Sequence, residues 1–136
     1  MPNNAPIFMN IPRAGWVTLT AANTAKDGTG TAPIILTADA ASGAFVRSII
    51  ARSLGTNVAS VCRVFLNNGL TPATAANNTL IGEFGLPATT LSETVGQPTP
   101  ELMINEAIPP GHRLLVTLGT AVAAGWAITA LGGGDY

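Results

Sequence analysis

Charge is scarce in this sequence: Asp, Glu, Lys and Arg make up 10% of its 136 residues, against about 25% in ordinary soluble proteins. Lys26 is the only lysine, and the formal net charge is −1. The sequence therefore predicts no basic surface for nucleic acid or for an anionic membrane. A small globule this poor in charge exposes Ala, Thr, Asn, Gly and apolar groups, which favours burial against partners in an assembly. A monomer with a neutral Thr/Asn surface is the alternative.

Side chains that carry chemistry are equally few. The one cysteine, Cys62, cannot form an internal disulfide and is predicted to be a small buried hydrophobe. With one histidine, His112, a zinc site has too few ligands, and Asp27, Asp39 and Asp135 lack the spacing of a calcium loop. Aromatic residues are 5% of the chain, which argues against carbohydrate or single-stranded nucleic-acid binding. The sequence predicts no enzyme, no cofactor and no metal.

Two stretches of the sequence resemble a phosphate-binding loop and a membrane-spanning segment. The Gly28-Thr29-Gly30 loop lacks the Gly-Lys-Ser/Thr of a phosphate-binding loop, so a hairpin loop is favoured. Residues 114–134 are uncharged over a length that could span a bilayer. Their glycines and threonines favour two strands with a turn over a lipid-facing helix. Residues 1–6 show no signal-peptide pattern.

The segment 44–69 forms the predicted centre of the fold. Both halves are rich in β-branched and aromatic residues, and Gly and Asn close the ends. The short Gly55-Thr56-Asn57 connection predicts that the two strands are antiparallel neighbours.

Further strands are predicted at 15–20, 34–38, 80–87, 101–108, 112–118 and 125–131. Residues 88–99 are predicted as a long connection that crosses between sheets, and Pro109-Pro110-Gly111 as a type II turn. Short strands separated by frequent turns predict an all-β fold, a single antiparallel β-sandwich of jelly-roll type over residues 15–136.

Residues 1–14 are predicted to form an extended N-terminal arm. Pro2, Pro6 and Pro12 exclude a helix and a central strand. The arm would be sticky unless it docked on its own domain or on a neighbour, so its candidate partner contacts are Phe8, Met9, Ile11 and Pro12. The alternative is an edge strand that covers its own domain.

Several motifs of the chain resemble a group of short proteins encoded by tailed bacteriophages and prophages. The loop at 22–30, Ala-Asn-Thr-Ala-Lys-Asp-Gly-Thr-Gly, is similar to that group's A-N-T-x-x-D-G-T-G loop. The strand at 46–55, followed by Arg-Val-Phe-Leu-Asn-Asn-Gly at 63–69, resembles its strand, small-residue turn and R-L-F-I-x-x-G segment. The turn at 108–111 resembles its L-P-x-G, and Gly-Gly-Asp-Tyr at 133–136 its terminal G-G-D-Y.

This resemblance implies a small virion structural protein, a capsid decoration or cement protein with a β-sandwich or jelly-roll fold. Such proteins sit as homotrimers on the capsid exterior and clamp neighbouring major capsid protein subunits. The implied location is the virion, after synthesis in the host cytoplasm. The alternative is a head-fibre or tail-associated adhesion module whose loops at 70–79 and 88–99 bind a host surface.

Overall fold

The computed structural model describes residues 10–135, and its strands confirm the all-β prediction. They are β1 (Ile11–Leu19), β2 (Ile34–Thr37), β3 (Ala44–Ser53), β4 (Ser60–Asn67), β5 (Asn78–Leu86), β6 (Glu101–Ile108), β7 (Arg113–Leu118) and β8 (Trp126–Asp135). The only helix among the described residues is one 3-10 turn at Ala75–Asn77. None of the helical structure in this part of the chain is long and apolar enough to cross a membrane.

The strands form two antiparallel four-stranded sheets. One has the order β1-β8-β3-β6 and the other the order β2-β7-β4-β5. The first strand therefore pairs with the last, β2 with β7, β3 with β6 and β4 with β5.

The sheets pack face to face around an apolar core, so the predicted β-sandwich is confirmed. Residues alternate along each strand, so one face of each sheet is directed inward. In β1, Leu19 is buried and Val17 packs against the core, whereas Trp16 and Thr18 are exposed. The largest fully buried side chain is Trp126 of β8.

The predicted pairing of the two central strands is wrong. Strands β3 and β4 lie in different sheets, because both edges of β3 are occupied, one by β8 and the other by β6. The connection between them is therefore a corner that carries the chain from one sheet to the other. Asn57 holds this corner: its carboxamide accepts from the backbone N–H groups of Ala124 and Gly125, each at 2.9 Å, and donates to Gly125 O at 3.0 Å.

The strands predicted at 112–118 and 125–131 also lie in different sheets, so the connection between β7 and β8 crosses from one sheet to the other and is not a hairpin turn. The predicted crossing at 88–99 is confirmed, because β5 and β6 belong to different sheets. At 109–111, His112 N–H donates to Pro109 O at 3.1 Å and Gly111 has φ 72°, the hydrogen bond and positive φ that a type II turn requires.

The loops gather at the two ends of the sandwich. Since the strands are antiparallel, the connections 20–33, 54–59, 87–100 and 119–125 meet at one end, called here the crossing end. The connections 38–43, 68–77 and 109–112 lie at the opposite end, together with Asn10 and Asp135.

Candidate interaction surfaces

The outer face of the β1-β8-β3-β6 sheet carries apolar side chains on three of its strands. Trp16 of β1 is 72% exposed. It lies opposite Thr129 of β8, which lies opposite Ile50 of β3, so the three side chains form a row across the sheet. Leu131, two residues further along β8, lies on the same face and is 39% exposed. We call these four residues the Trp16 face.

Charged residues border this face without entering its centre. Glu101 of β6 continues the row beyond Ile50, and Arg52 follows Ile50 by two residues on the same side of β3. Both are exposed. An apolar centre with a charged border is the usual arrangement of a protein–protein contact surface.

A second apolar feature is a groove of about 430 Å³ where strands β5 and β6 border each other at the open side of the sandwich. Its walls are mostly aliphatic, with Leu66, Ile81, Leu102, Ile104, Ile108 and Pro109 among the lining residues. Ile81 is 41% exposed. Glu106 is the one charged residue among those that line it. We call this feature the β5–β6 groove.

Apolar side chains are also exposed at the crossing end. Asn57 and Thr89 exchange backbone hydrogen bonds of 3.1 and 2.9 Å, which hold two connections side by side. The exposed apolar side chains of these two connections are Leu54, Val58, Leu91 and Val95.

The predicted arm contacts fall partly within the described residues. Ile11 and Pro12 belong to edge strand β1 rather than to a separate arm, and Ile11 is 52% exposed. Pro12 lines a shallow cavity of about 380 Å³ between β1 and β2. Phe8 and Met9 lie outside the described residues.

The start of β1 is tied to the end of β8 by an ion pair. Arg13 Nε donates to Asp135 Oδ2, and the Asp135 side chain is 2% exposed. Ile11 and Pro12 also lie opposite Asp135 and Gly134 in the strand ladder. The Gly-Gly-Asp segment of the terminal motif is therefore part of the sheet and fixes the position of the first strand.

The polar candidates of the sequence do not come together. Among the described residues no three His, Cys, Asp or Glu side chains could hold a metal ion. Cys62 is buried, and this burial raises the pKa of its thiol to about 12, so it is not a nucleophile at neutral pH. The Ser42 and Ala41 N–H groups lower the pKa of Asp39, which caps its own turn. The Thr29 hydroxyl and N–H lower the pKa of Asp27 in the same way.

The sequence did not single out the Trp16 face or the groove. A signal for Trp16 was present, because strand alternation groups it with Thr18 and Thr20 and opposite Val17 and Leu19. The groove had no such signal. It exists because β5 and β6 become edge strands of different sheets, which depends on the pairing order.

Comparisons with protein-family models, with curated proteins and with solved structures find no match for this chain.

Proposed function

We propose that this chain is a virion structural protein that binds the outside of a bacteriophage capsid as a homotrimer and clamps neighbouring major capsid protein subunits. It would be made in the host cytoplasm and would act on the capsid exterior. We propose that it acts through its surface and catalyses no reaction.

The observation that carries this proposal is the Trp16 face. A tryptophan that is 72% exposed on the outer face of a sheet, in a chain with 10% charged residues, is costly to leave in water. Exposed apolar patches with polar borders mark protein contact sites, and tryptophan is enriched among the residues that dominate binding energy.

We further infer that the sandwich is a jelly roll, in agreement with the fold that the motif resemblance implies. The support is the number of strands, eight in two four-stranded sheets, and the pairing of each early strand with a late one. Jelly rolls are eight-stranded double sheets found in viral capsid proteins, among others.

The mechanism of clamping would be burial of apolar area against several subunits at once. Each large apolar side chain that becomes fully buried contributes about 1.5–3 kcal/mol. Three linked copies would bind with an effective concentration far above that of one copy, which raises avidity without new contacts. Detachment would then require several contacts to break together.

A second candidate function is the head-fibre or tail-associated adhesion module. Leu91 and Val95, 62% and 66% exposed on the 87–100 connection, favour it. The two loops expected to form its binding surface, however, lie at opposite ends of the sandwich. A host-binding surface would therefore use the crossing end alone.

Co-sedimentation separates these two functions. The purified chain is mixed with empty capsids of the phage that encodes it and, separately, with host cells. We expect saturable binding to capsids and none to cells, and we expect Trp16→Ser to weaken capsid binding at least tenfold. Binding to cells alone would refute the capsid role and support adhesion.

Val95→Ser is the matched control, because Val95 is similarly exposed but lies at the crossing end. We expect it to bind capsids like the unmodified chain. Equal loss with both variants would contradict the assignment of the Trp16 face.

A further inference from the structure

The β5–β6 groove has the chemistry of a site for an extended apolar peptide. Its lining is aliphatic apart from Glu106. Within the described residues β5 pairs only with β4, and β6 only with β3, so each presents one backbone edge without a strand partner. An open strand edge accepts an extended segment through main-chain hydrogen bonds, while neighbouring pockets take its side chains.

This chain contains a segment with matching chemistry, directly before the described residues. Residues 1–10 include no Asp, Glu, Lys, Arg or His, and Ile7, Phe8 and Met9 are three consecutive apolar residues. Insertion of these three side chains would bury no ionised group. All three have a backbone N–H to donate, whereas Pro2 and Pro6 do not.

The ladder positions show that this segment cannot fill the groove of its own molecule. Ile11 lies opposite Asp135, which lies opposite Ala44, which lies opposite Ile108 at the end of the groove. These three strand spacings separate Ile11 from Ile108 by about 14 Å, and the open edge of β6 is about 5 Å further. Phe8 is three residues from Ile11, so its backbone reaches about 10 Å at most.

We therefore propose that Ile7, Phe8 and Met9 of one copy bind in the β5–β6 groove of a second copy. The contact joins two different surfaces, and repeated around a threefold axis it closes into a ring. That the ring contains three copies rests on the proposed function; the contact between segment and groove does not.

The mass of the chain in solution tests the contact, measured by size-exclusion chromatography with light scattering. We expect the full chain to be a trimer and a chain lacking residues 1–9 to be a monomer. Phe8→Asp and Ile81→Asp change opposite sides of the contact, and each should lower the mass to that of a monomer. Val95→Asp, which adds the same charge at the crossing end, should leave the trimer intact.

A disulfide test identifies the copy that supplies the segment. Phe8→Cys and Ile81→Cys chains are co-expressed and oxidised; the native Cys62 is buried. We expect a cross-linked pair of chains in the mixture. A chain that carries both Phe8→Cys and Ile81→Cys is oxidised in parallel. If a disulfide forms within this chain and none forms between the two singly substituted chains, the proposal is overturned. A trimer that survives loss of residues 1–9 would also overturn it.

The two proposals fail separately. If the shortened chain remains a trimer and still binds capsids, the groove contact is refuted and the capsid role is retained. If the contact forms but the trimer binds no capsid, the proposed function is refuted and the contact is retained.

Discussion

Cys62 lies in the core of the sandwich, where its thiol is packed against apolar side chains. Its thiol is fully buried in the core between the two sheets, and burial raises its pKa to about 12 from an ordinary value of 9.0. A thiol in this setting packs like a small apolar side chain.

At pH 8 we expect iodoacetamide to leave Cys62 unmodified in the folded chain and to alkylate it after denaturation in urea, as measured by intact mass. Rapid alkylation of the folded chain, with no loss of structure, would contradict its burial.

The pKa of Cys62 also predicts a dependence of stability on pH. The folded chain keeps a proton that the unfolded chain releases above pH 9, so this contribution is complete below pH 9 and is lost as the pH rises towards 12. The slope is at most about 1.4 kcal/mol per pH unit. Cys62→Val should lack this component in urea titrations at pH 8 and pH 10; identical pH dependence in both chains would contradict the prediction.

Asn57 is the polar residue on which the corner between β3 and β4 depends. It is 4% exposed, and its carboxamide bonds to the backbone of Ala124 and Gly125. Asn57→Ala would leave buried backbone groups without partners, and each such group costs about 1–3 kcal/mol. We expect a loss of about 3 kcal/mol in the free energy of unfolding, measured by urea denaturation.

Asn68→Ala is the control for this loss, because Asn68 is exposed and its side-chain contacts are local. We expect it to cost less than about 1 kcal/mol. Equal losses in the two variants would show that the corner does not depend on Asn57.

At the scale of elements, β1 of one sheet comes into close backbone contact with β2 of the other at Gly15. A Cβ added to Gly15 would lie 1.5 Å from Ile35 O, a backbone atom that cannot move without displacing its strand. Gly15→Ala should therefore cost more than about 3 kcal/mol, at the upper end of the cost of overpacking. Gly85→Ala in β5 meets nothing within 4 Å and should be neutral or slightly stabilising.

Urea denaturation of the two alanine variants checks this contrast, with circular dichroism to establish that each chain is folded. If Gly15→Ala is as stable as Gly85→Ala, the close approach of β1 and β2 is refuted.

The sequence predicts the positions of the strands well, because the signals for a strand are local in the sequence. Alternation identifies β1, and the bounds expected for β6 agree with those observed. The order in which the strands pair cannot be predicted from such local signals, because it depends on which strands distant in sequence become neighbours in a sheet. The connection after β3 resembled a hairpin turn, yet the bonds of Asn57 to residues more than sixty positions away make it a corner.

The candidate surfaces also divide into one that local sequence signals could predict and one that depends on the pairing order. The exposure of Trp16 was within reach of sequence analysis, since it requires only the period of one strand. The β5–β6 groove was not, because its walls come from edge strands of both sheets. Ile11 and Pro12 are predicted partner contacts; the sheet pairs their backbone with Asp135 and Gly134, and the Ile11 side chain is 52% exposed.

At the scale of the whole molecule, the apolar surfaces lie in separate places. The Trp16 face covers the outside of one sheet, the β5–β6 groove follows the open side, and a third group lies at the crossing end. We propose that the Trp16 face contacts the capsid and that the groove contacts a second copy. Separate surfaces allow a trimer to form and still present three capsid-binding faces.

The proposed clamping of the capsid is tested most directly by the temperature at which DNA-filled particles release their DNA. This temperature is recorded with a DNA-binding dye on particles that lack this chain. Adding the purified chain at saturation should raise that temperature, Val95→Ser should raise it equally, and Trp16→Ser should raise it little at the same concentration. An unchanged release temperature despite saturating binding would contradict the claim that the chain clamps the capsid.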